Sequence, residues 1–287
     1  MLDDPVAYLD NACVTLKPQS VIDSIQDYYI NTPGCGGRSV HRYGTHVSKS
    51  ISQSRKKLAN FFSAPSVNEI VFTRNATHSL NQIAKGLEWN KGDVVLTTDR
   101  EHNSNLVPWL QLEQEQGIDH RVVRSNQDNT FNLESFEEAC AEAGTKLKMV
   151  SMSHVGNLDG VETPVKEITK IAKDYGALVS IDGAQSAPHM SVDVQDLGID
   201  FYSFSIHKML GPSGLGGLWA RTELLENMRT IQSGGQTVTT ATYESLKWAK
   251  PPSKFEGGLG HFAGMMATGA AVDYLTKLNM DEVHAHE

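Results

Sequence analysis

The sequence predicts an α/β fold, a mostly parallel, doubly wound sheet with helices on both faces. Three observations carry this expectation. Short apolar runs with β-branched and aromatic bias alternate with segments of helical spacing. The chain has 287 residues, 39% of them hydrophobic, enough for one large core. Polar residues able to do chemistry recur just past the ends of the strand-like runs, where ligands of such sheets bind.

The strand-like runs are Glu69 to Thr73, Val94 to Thr98, Arg121 to Ser125, Lys148 to His154, Leu178 to Asp182 and Phe201 to Ser205, and Gly217 to Arg221 reads as one more. Between them, Leu80, Ile83, Ala84 and Leu87 share one helical face, as do Val165, Ile168, Ala172 and Tyr175. The second of these helices is well punctuated. Thr163 is its expected N-cap, Pro164 its first helical residue, and Gly176 its left-handed end. Residues Asn31 to Ser48, rich in glycine and polar or basic side chains, read as a loop between two helical patterns, either functional or an ordinary surface connection; at this length a functional loop is favoured. From Arg229 to Gly260 regular periodicity fades, as expected of a mobile loop.

Composition excludes several functions. With 34 acidic against 25 basic residues and a formal net charge of -9, the chain is not expected to bind nucleic acid or anionic membranes. No apolar run approaches the roughly 20 residues that cross a bilayer, and residues 1 to 20 lack a signal-peptide layout, which predicts a cytoplasmic protein. Cys13, Cys35 and Cys140 are too widely spaced for a disulfide framework or a zinc site, and His284 and His286 read as solvated rather than metal-binding.

The most informative segment is FYSFSIHKMLGPSGLGG, in which a strand-like run ends in Ser205, His207 and Lys208. Lysine is normally solvated, so one at the ligand-binding edge of a sheet is unusual. The glycines that follow do not match G-x-G-x-x-G, and no helix start follows them to receive a pyrophosphate. A second strand ends in Asp182, with Gln185 beyond it. A buried carboxylate needs a partner. Asp182 taken alone could be a helix cap, but with Lys208 it supplies the two groups pyridoxal 5'-phosphate (PLP) chemistry needs, an amine for the cofactor aldehyde and an acid for the pyridine nitrogen. Asn75, Ala76 and Thr77 stand at a strand-to-helix junction, a common arrangement that offers N–H groups to a phosphate. His102, in EHNSN, can stack on a flat cofactor or serve as a hydrogen-bonded edge residue. Asn157, in SHVGN, can donate to a ring substituent or simply make a turn.

The set YLDNA, VHR, TRNAT, EHNSN, SHVGN, DGAQS, SIHK and KFEGG, in this order, resembles the class V aminotransferase family over essentially the whole chain, and within it the cysteine desulfurases of iron-sulfur cluster assembly. The resemblance implies the large domain of a fold type I PLP enzyme and a homodimer with active sites at the subunit interface. It implies Lys208 as the Schiff-base lysine, Asp182 as partner of the pyridine nitrogen, Gln185 at the ring oxygen, His102 stacked on the ring, and Asn157 near the ring or substrate. Ala76, through its N–H, and Thr77, Ser205 and His207 are the implied phosphate ligands. The implied reaction converts L-cysteine to L-alanine and passes sulfur to a thiolate as a persulfide, for a sulfur-acceptor or iron-sulfur scaffold protein. Selenocysteine lysis, β-elimination, or a silent PLP-binding scaffold are the other readings.

The departures from the family pattern are equally specific. Asn103 replaces a frequent second histidine, Leu259 stands where a threonine reaches the neighbouring subunit's phosphate, and Cys13 replaces a small residue near the substrate. The expected organisation is an N-terminal segment over 1–20, the PLP-binding large domain over 21–270, and over 271–287 the start of a connection to a small domain that is absent. That domain carries the family's persulfide cysteine and a substrate-binding arginine, so little turnover is expected from these residues alone. Cys35, beside Arg38 and His41, is the expected internal substitute, with Cys13 second and Cys140 last.

Overall fold

The computed structural model describes residues 7–287. Seven strands form one sheet: β1 (Ile70–Thr73), β2 (Val94–Thr98), β3 (Asp119–Val123), β4 (Leu147–Ser153), β5 (Leu178–Asp182), β6 (Phe201–Ser205) and β7 (Gly216–Ala220), in the order β1-β7-β6-β5-β4-β2-β3. β7 alone runs antiparallel, to both β1 and β6; every other pairing is parallel. The carboxyl ends of β1, β2, β4, β5 and β6 therefore share one edge. A hairpin of β8 (Val238–Ala241) and β9 (Leu246–Trp248) stands apart, and occupies part of the stretch expected to be irregular.

The helices are α1 (Gln19–Asn31), α2 (Arg42–Phe61), α3 (Ala76–Gly86), α4 (Asn103–Gln116), α5 (Leu133–Ala143), α6 (Val165–Asp174), α7 (Ser186–His189), α8 (Thr222–Asn227), α9 (Phe262–Leu278) and α10 (Met280–His286). The two-residue period of a strand sends alternate side chains to opposite faces. Val94, Leu96, Val150 and Met152 accordingly join a core with Leu58 of α2, Cys140 of α5, Ile168 of α6 and Met265 of α9. Val95 and Met149 join a second core with Leu80 and Ile83 of α3, Trp109 and Leu112 of α4 and Leu225 of α8. No helix among the described residues is long and apolar enough to cross a membrane.

Several boundaries differ from expectation. α2 begins at Arg42, inside the expected loop, because the His41 imidazole caps it by accepting the Gly44 N–H at 3.3 Å. α6 begins one residue late, and Thr163 caps nothing with its side chain; its carbonyl accepts the Val165 N–H. β3 lies two residues earlier than expected, an edge strand whose Asp119, His120 and Arg121 pair with Val94, Val95 and Leu96. α9 continues through residue 270 and packs against α1 and α2.

Candidate active site

Asp182 closes β5 in register with Ser153 of β4 and Ser203 of β6. Asp182 is 5% exposed. Burial raises its pKa, opposed by the Ala184 N–H on Oδ1 at 3.0 Å and by the nearby Lys208 amine. The next residue must be glycine: a Cβ at Gly183 would lie 2.0 Å from Cζ of the Tyr202 ring. Two residues on, Gln185 Nε2 donates to the Ala12 carbonyl at 3.0 Å, tying the N-terminal segment to the sheet edge.

β6 ends in a tight turn that presents Lys208. The Lys208 N–H donates to the Ser205 carbonyl at 3.1 Å and the Gly211 N–H to Ile206 at 2.9 Å. The N-terminal segment straps this turn from outside. The His207 carbonyl accepts Lys17 Nζ at 2.8 Å and Thr15 Oγ1 at 3.0 Å, and the Leu210 N–H donates to Thr15 Oγ1 at 3.2 Å. Burial lowers Lys17 to about 8. Lys208 is half-buried, and burial lowers its pKa against the opposing pull of Asp182 and Cys13. A larger share of its amine is thus unprotonated and nucleophilic than for a solvated lysine.

The β1–α3 junction faces this turn. Asn75 caps α3, its Oδ1 accepting the His78 N–H at 2.9 Å, and the Ala76 N–H donates to Ser205 Oγ at 2.9 Å. β7 must pass close by, since a Cβ at Gly216 would lie 2.5 Å from Asn75 Cα. Beyond β2, His102 is the N-cap of α4, and its Nδ1 accepts the Ser104 N–H at 3.1 Å. The preceding Glu101 is half-buried, its Oε1 accepting Thr98 Oγ1 at 2.6 Å and its Oε2 accepting Asn105 Nδ2 at 2.6 Å and Ser153 Oγ at 2.8 Å. Burial raises its pKa against these three donors. The network pins the turn that carries His102 to β2 and β4.

All nine residues singled out in the sequence, Ala76, Thr77, His102, Asn157, Asp182, Gln185, Ser205, His207 and Lys208, line one cavity of about 500 Å³. Sequence reasoning gave no role to Ser104 and Ser153, which also line it, or to Glu101; Glu101 and Ser104 lie in EHNSN and Ser153 opens SHVGN, both polar runs at strand ends. The first two thiols of the expected order change places, and Cys140 stays last. Cys13 is exposed and lines the cavity, whereas Cys35 is half-buried, packs against the larger core and does not line it. The loop basicity that favoured Cys35 is partly used elsewhere, since His41 caps α2. Cys140 is buried, and burial pushes its thiol up to about 12.

A wider cleft of about 870 Å³ is lined by Arg38, Arg55, Glu256 and Leu259 among others, and includes neither Lys208 nor Asp182. The smaller cavity, which holds the lysine and the aspartate, is the candidate site. Glu256 of KFEGG is structural, accepting both Arg55 nitrogens at 2.7 and 2.9 Å and the Phe72 N–H at 2.8 Å. Leu259 is 77% exposed and has no hydrogen-bonding side chain to offer.

A strand-end lysine and a buried aspartate on a seven-stranded, mostly parallel sheet define a class of lysine-dependent α/β enzymes, and comparison with known proteins narrows it. The family model described as Aminotransferase class-V matches residues 7–287, and the chain belongs to that family. A probable cysteine desulfurase of Halalkalibacterium halodurans is 39% identical over 286 residues, covering 99% of this chain and 70% of the relative. A cysteine desulfurase of Haloferax volcanii is 37% identical over 287 residues, covering 99% and 67%. Among solved structures, the apo cysteine desulfurase from Thermococcus onnurineus NA1 superposes with a TM-score of 0.91 at 34% identity, covering 96% of this chain and 68% of that one.

Proposed function

We propose that residues 21–270 are the PLP-binding large domain of a cysteine desulfurase acting on L-cysteine, with Lys208 as the cofactor's lysine. The observation that carries this reading is the cavity itself, where a half-buried amine, a buried carboxylate and a set of hydroxyl and N–H donors converge from five strand ends. This donor set fits a flat, phosphorylated pyridine aldehyde. Among the described residues, only one N–H reaches the Asp182 carboxylate, so acceptor capacity is left for a protonated ring nitrogen. PLP, when bound, supplies an aldehyde that takes up amines and a ring that accepts electrons.

The chain's residues do the rest. Asp182 holds the proton on the ring nitrogen, and its desolvated charge is worth more there than in water. His102 would cover one ring face, and Gln185 and Asn157 would orient the ring through its oxygen and the substrate side. The phosphate would sit at the start of α3, where the helix dipole favours an anion, held by Thr77, Ser205 and His207, with the Ala76 N–H orienting Ser205 Oγ, to which it donates at 2.9 Å. Lys208 Nζ moves the proton at the substrate α-carbon, an assignment suited to an amine lowered by burial. Alanine leaves, and the sulfur passes to a thiolate as a persulfide for a sulfur-acceptor or iron-sulfur scaffold protein. We place the protein in the cytoplasm as a homodimer, which a dimeric mass in light scattering checks. Its phosphate contact across subunits does not come from Leu259.

The test is product analysis with L-cysteine and a thiol reductant. Alanine with sulfide in equal amounts supports the reading. Pyruvate with sulfide would replace it with β-elimination; since little turnover is expected of these residues alone, a scaffold subunit is indicated only by bound cofactor whose absorption spectrum does not respond to L-cysteine.

A further inference from the structure

The hydroxyl of Ser104 lies between two elements of the proposed site that are otherwise separate. Its Oγ is 2.6 Å from Thr77 Oγ1, on the phosphate side, and 2.9 Å from Nδ1 of His102, the ring-covering imidazole. All three residues line the same cavity. The direction of these bonds follows from counting protons. The Ser104 backbone N–H can only donate, so His102 Nδ1, 3.1 Å away, is an acceptor and the imidazole proton sits on Nε2. Two hydroxyl protons remain for the pair Thr77 and Ser104.

These protons have two consistent arrangements. In the first, Thr77 donates to Ser104 and Ser104 donates to Nδ1, which leaves no hydroxyl proton for an anion. In the second, Ser104 donates to Thr77 and Thr77 donates into the cavity. A phosphate dianion beside Thr77 is acceptor-only and forms charge-assisted hydrogen bonds, stronger than a neutral hydroxyl pair. Its arrival selects the second arrangement.

We infer that Ser104 is a positioning residue that works as a hydroxyl relay, turning from His102 to Thr77 when the phosphate of the cofactor is seated. The inference rests on the phosphate assignment of the proposed function. It gives the site a link between phosphate occupancy and the imidazole: filling the phosphate position removes one of the two donors on Nδ1 and leaves the backbone N–H as the only one holding the ring. Loss of the relay weakens cofactor binding about 3- to 10-fold, the range expected for one hydrogen bond in such a network.

The test uses the full chain without cofactor, labelled with nitrogen-15 at backbone amides and histidine rings, and titrated with inorganic phosphate. His102→Gln identifies the His102 ring signals among the 11 histidines. The expected result is that the Ala76 and Thr77 amide signals move and the His102 Nδ1 signal moves downfield in step, as an acceptor losing a donor does. In Ser104→Ala the amides still respond, while Nδ1 already stands at its phosphate-bound position and stays there; Ser104→Thr restores the response. A stationary Nδ1 alongside moving amides, or an equal movement in Ser104→Ala, would overturn the relay. Amides that stay still at saturating phosphate would overturn the phosphate assignment, and the relay with it.

Discussion

Replacing Asp182 with asparagine separates what this carboxylate does for the fold from what it does for the reaction. The amide keeps the acceptor that takes the Ala184 N–H at 3.0 Å, so the β5 turn should persist. It removes a charge that burial disfavours: the Asp182 pKa is raised, and the unfolded carboxyl ionises first as pH rises. For a carboxyl raised in the fold, the linked stability is present at low pH and declines as pH rises through the raised pKa. The cofactor-free Asn variant should therefore melt at or above the wild-type temperature at pH 7. Catalysis moves the other way. A preorganised charge at a site 5% exposed stabilises the transition state by about 3–4 kcal/mol, and its loss costs on the order of 10²- to 10³-fold in rate. The assay is exchange of the amino-acid α-proton with solvent at matched PLP occupancy, beside thermal melts of the cofactor-free proteins. Exchange within about threefold of wild type at full occupancy would refute the role given to Asp182.

Other predictions follow from other groups. His154 is 3% exposed with no partner for Nδ1 among the described residues, and burial, with a smaller contribution from His284, lowers it to about 4. The unfolded chain binds a proton there near pH 6.5 and the folded chain does not, so stability falls by about 3 kcal/mol as pH drops from 6.5 to 4. Urea midpoints of His154→Gln should show a shallower acid slope, and an unchanged slope would contradict the burial argument. Cys13 should alkylate readily and be protected by PLP, Cys35 should show no PLP protection, and Cys140 should stay unlabelled in the folded state. Protection of Cys35 in place of Cys13 would mean that the cavity has been drawn on the wrong side of the sheet.

The central strands were legible because both their faces are buried. Val94–Thr98, Leu178–Asp182 and Phe201–Ser205 are near-continuous apolar runs, and their ends fall where the pattern places them. β3 was less legible because edge position and partial exposure let Asp119, His120 and Arg121 enter the strand. The start of α2 was hidden by composition. Its first turn is polar and contains Gly44, which fits because a side chain there would meet Ser39 at 2.5 Å. The site was legible as strand-end chemistry, since parallel topology alone brings Thr77, His102, Asp182 and Lys208 to one edge. Contacts set by three-dimensional approach were not legible. Nothing in the spacing of Thr77 and Ser104 shows that their hydroxyls meet, and the N-terminal strap brings Cys13 to Lys208 from far away in sequence.

The central claim is that Lys208 carries the cofactor. The full chain is incubated with PLP, reduced with borohydride, digested, and the pyridoxyl-bearing peptide sequenced by mass spectrometry. The account predicts a single modified peptide containing SIHK, with the added mass on Lys208, and none in Lys208→Ala. A pyridoxyl group on Lys17 or any other lysine at comparable yield, with Lys208 unmodified, would contradict it.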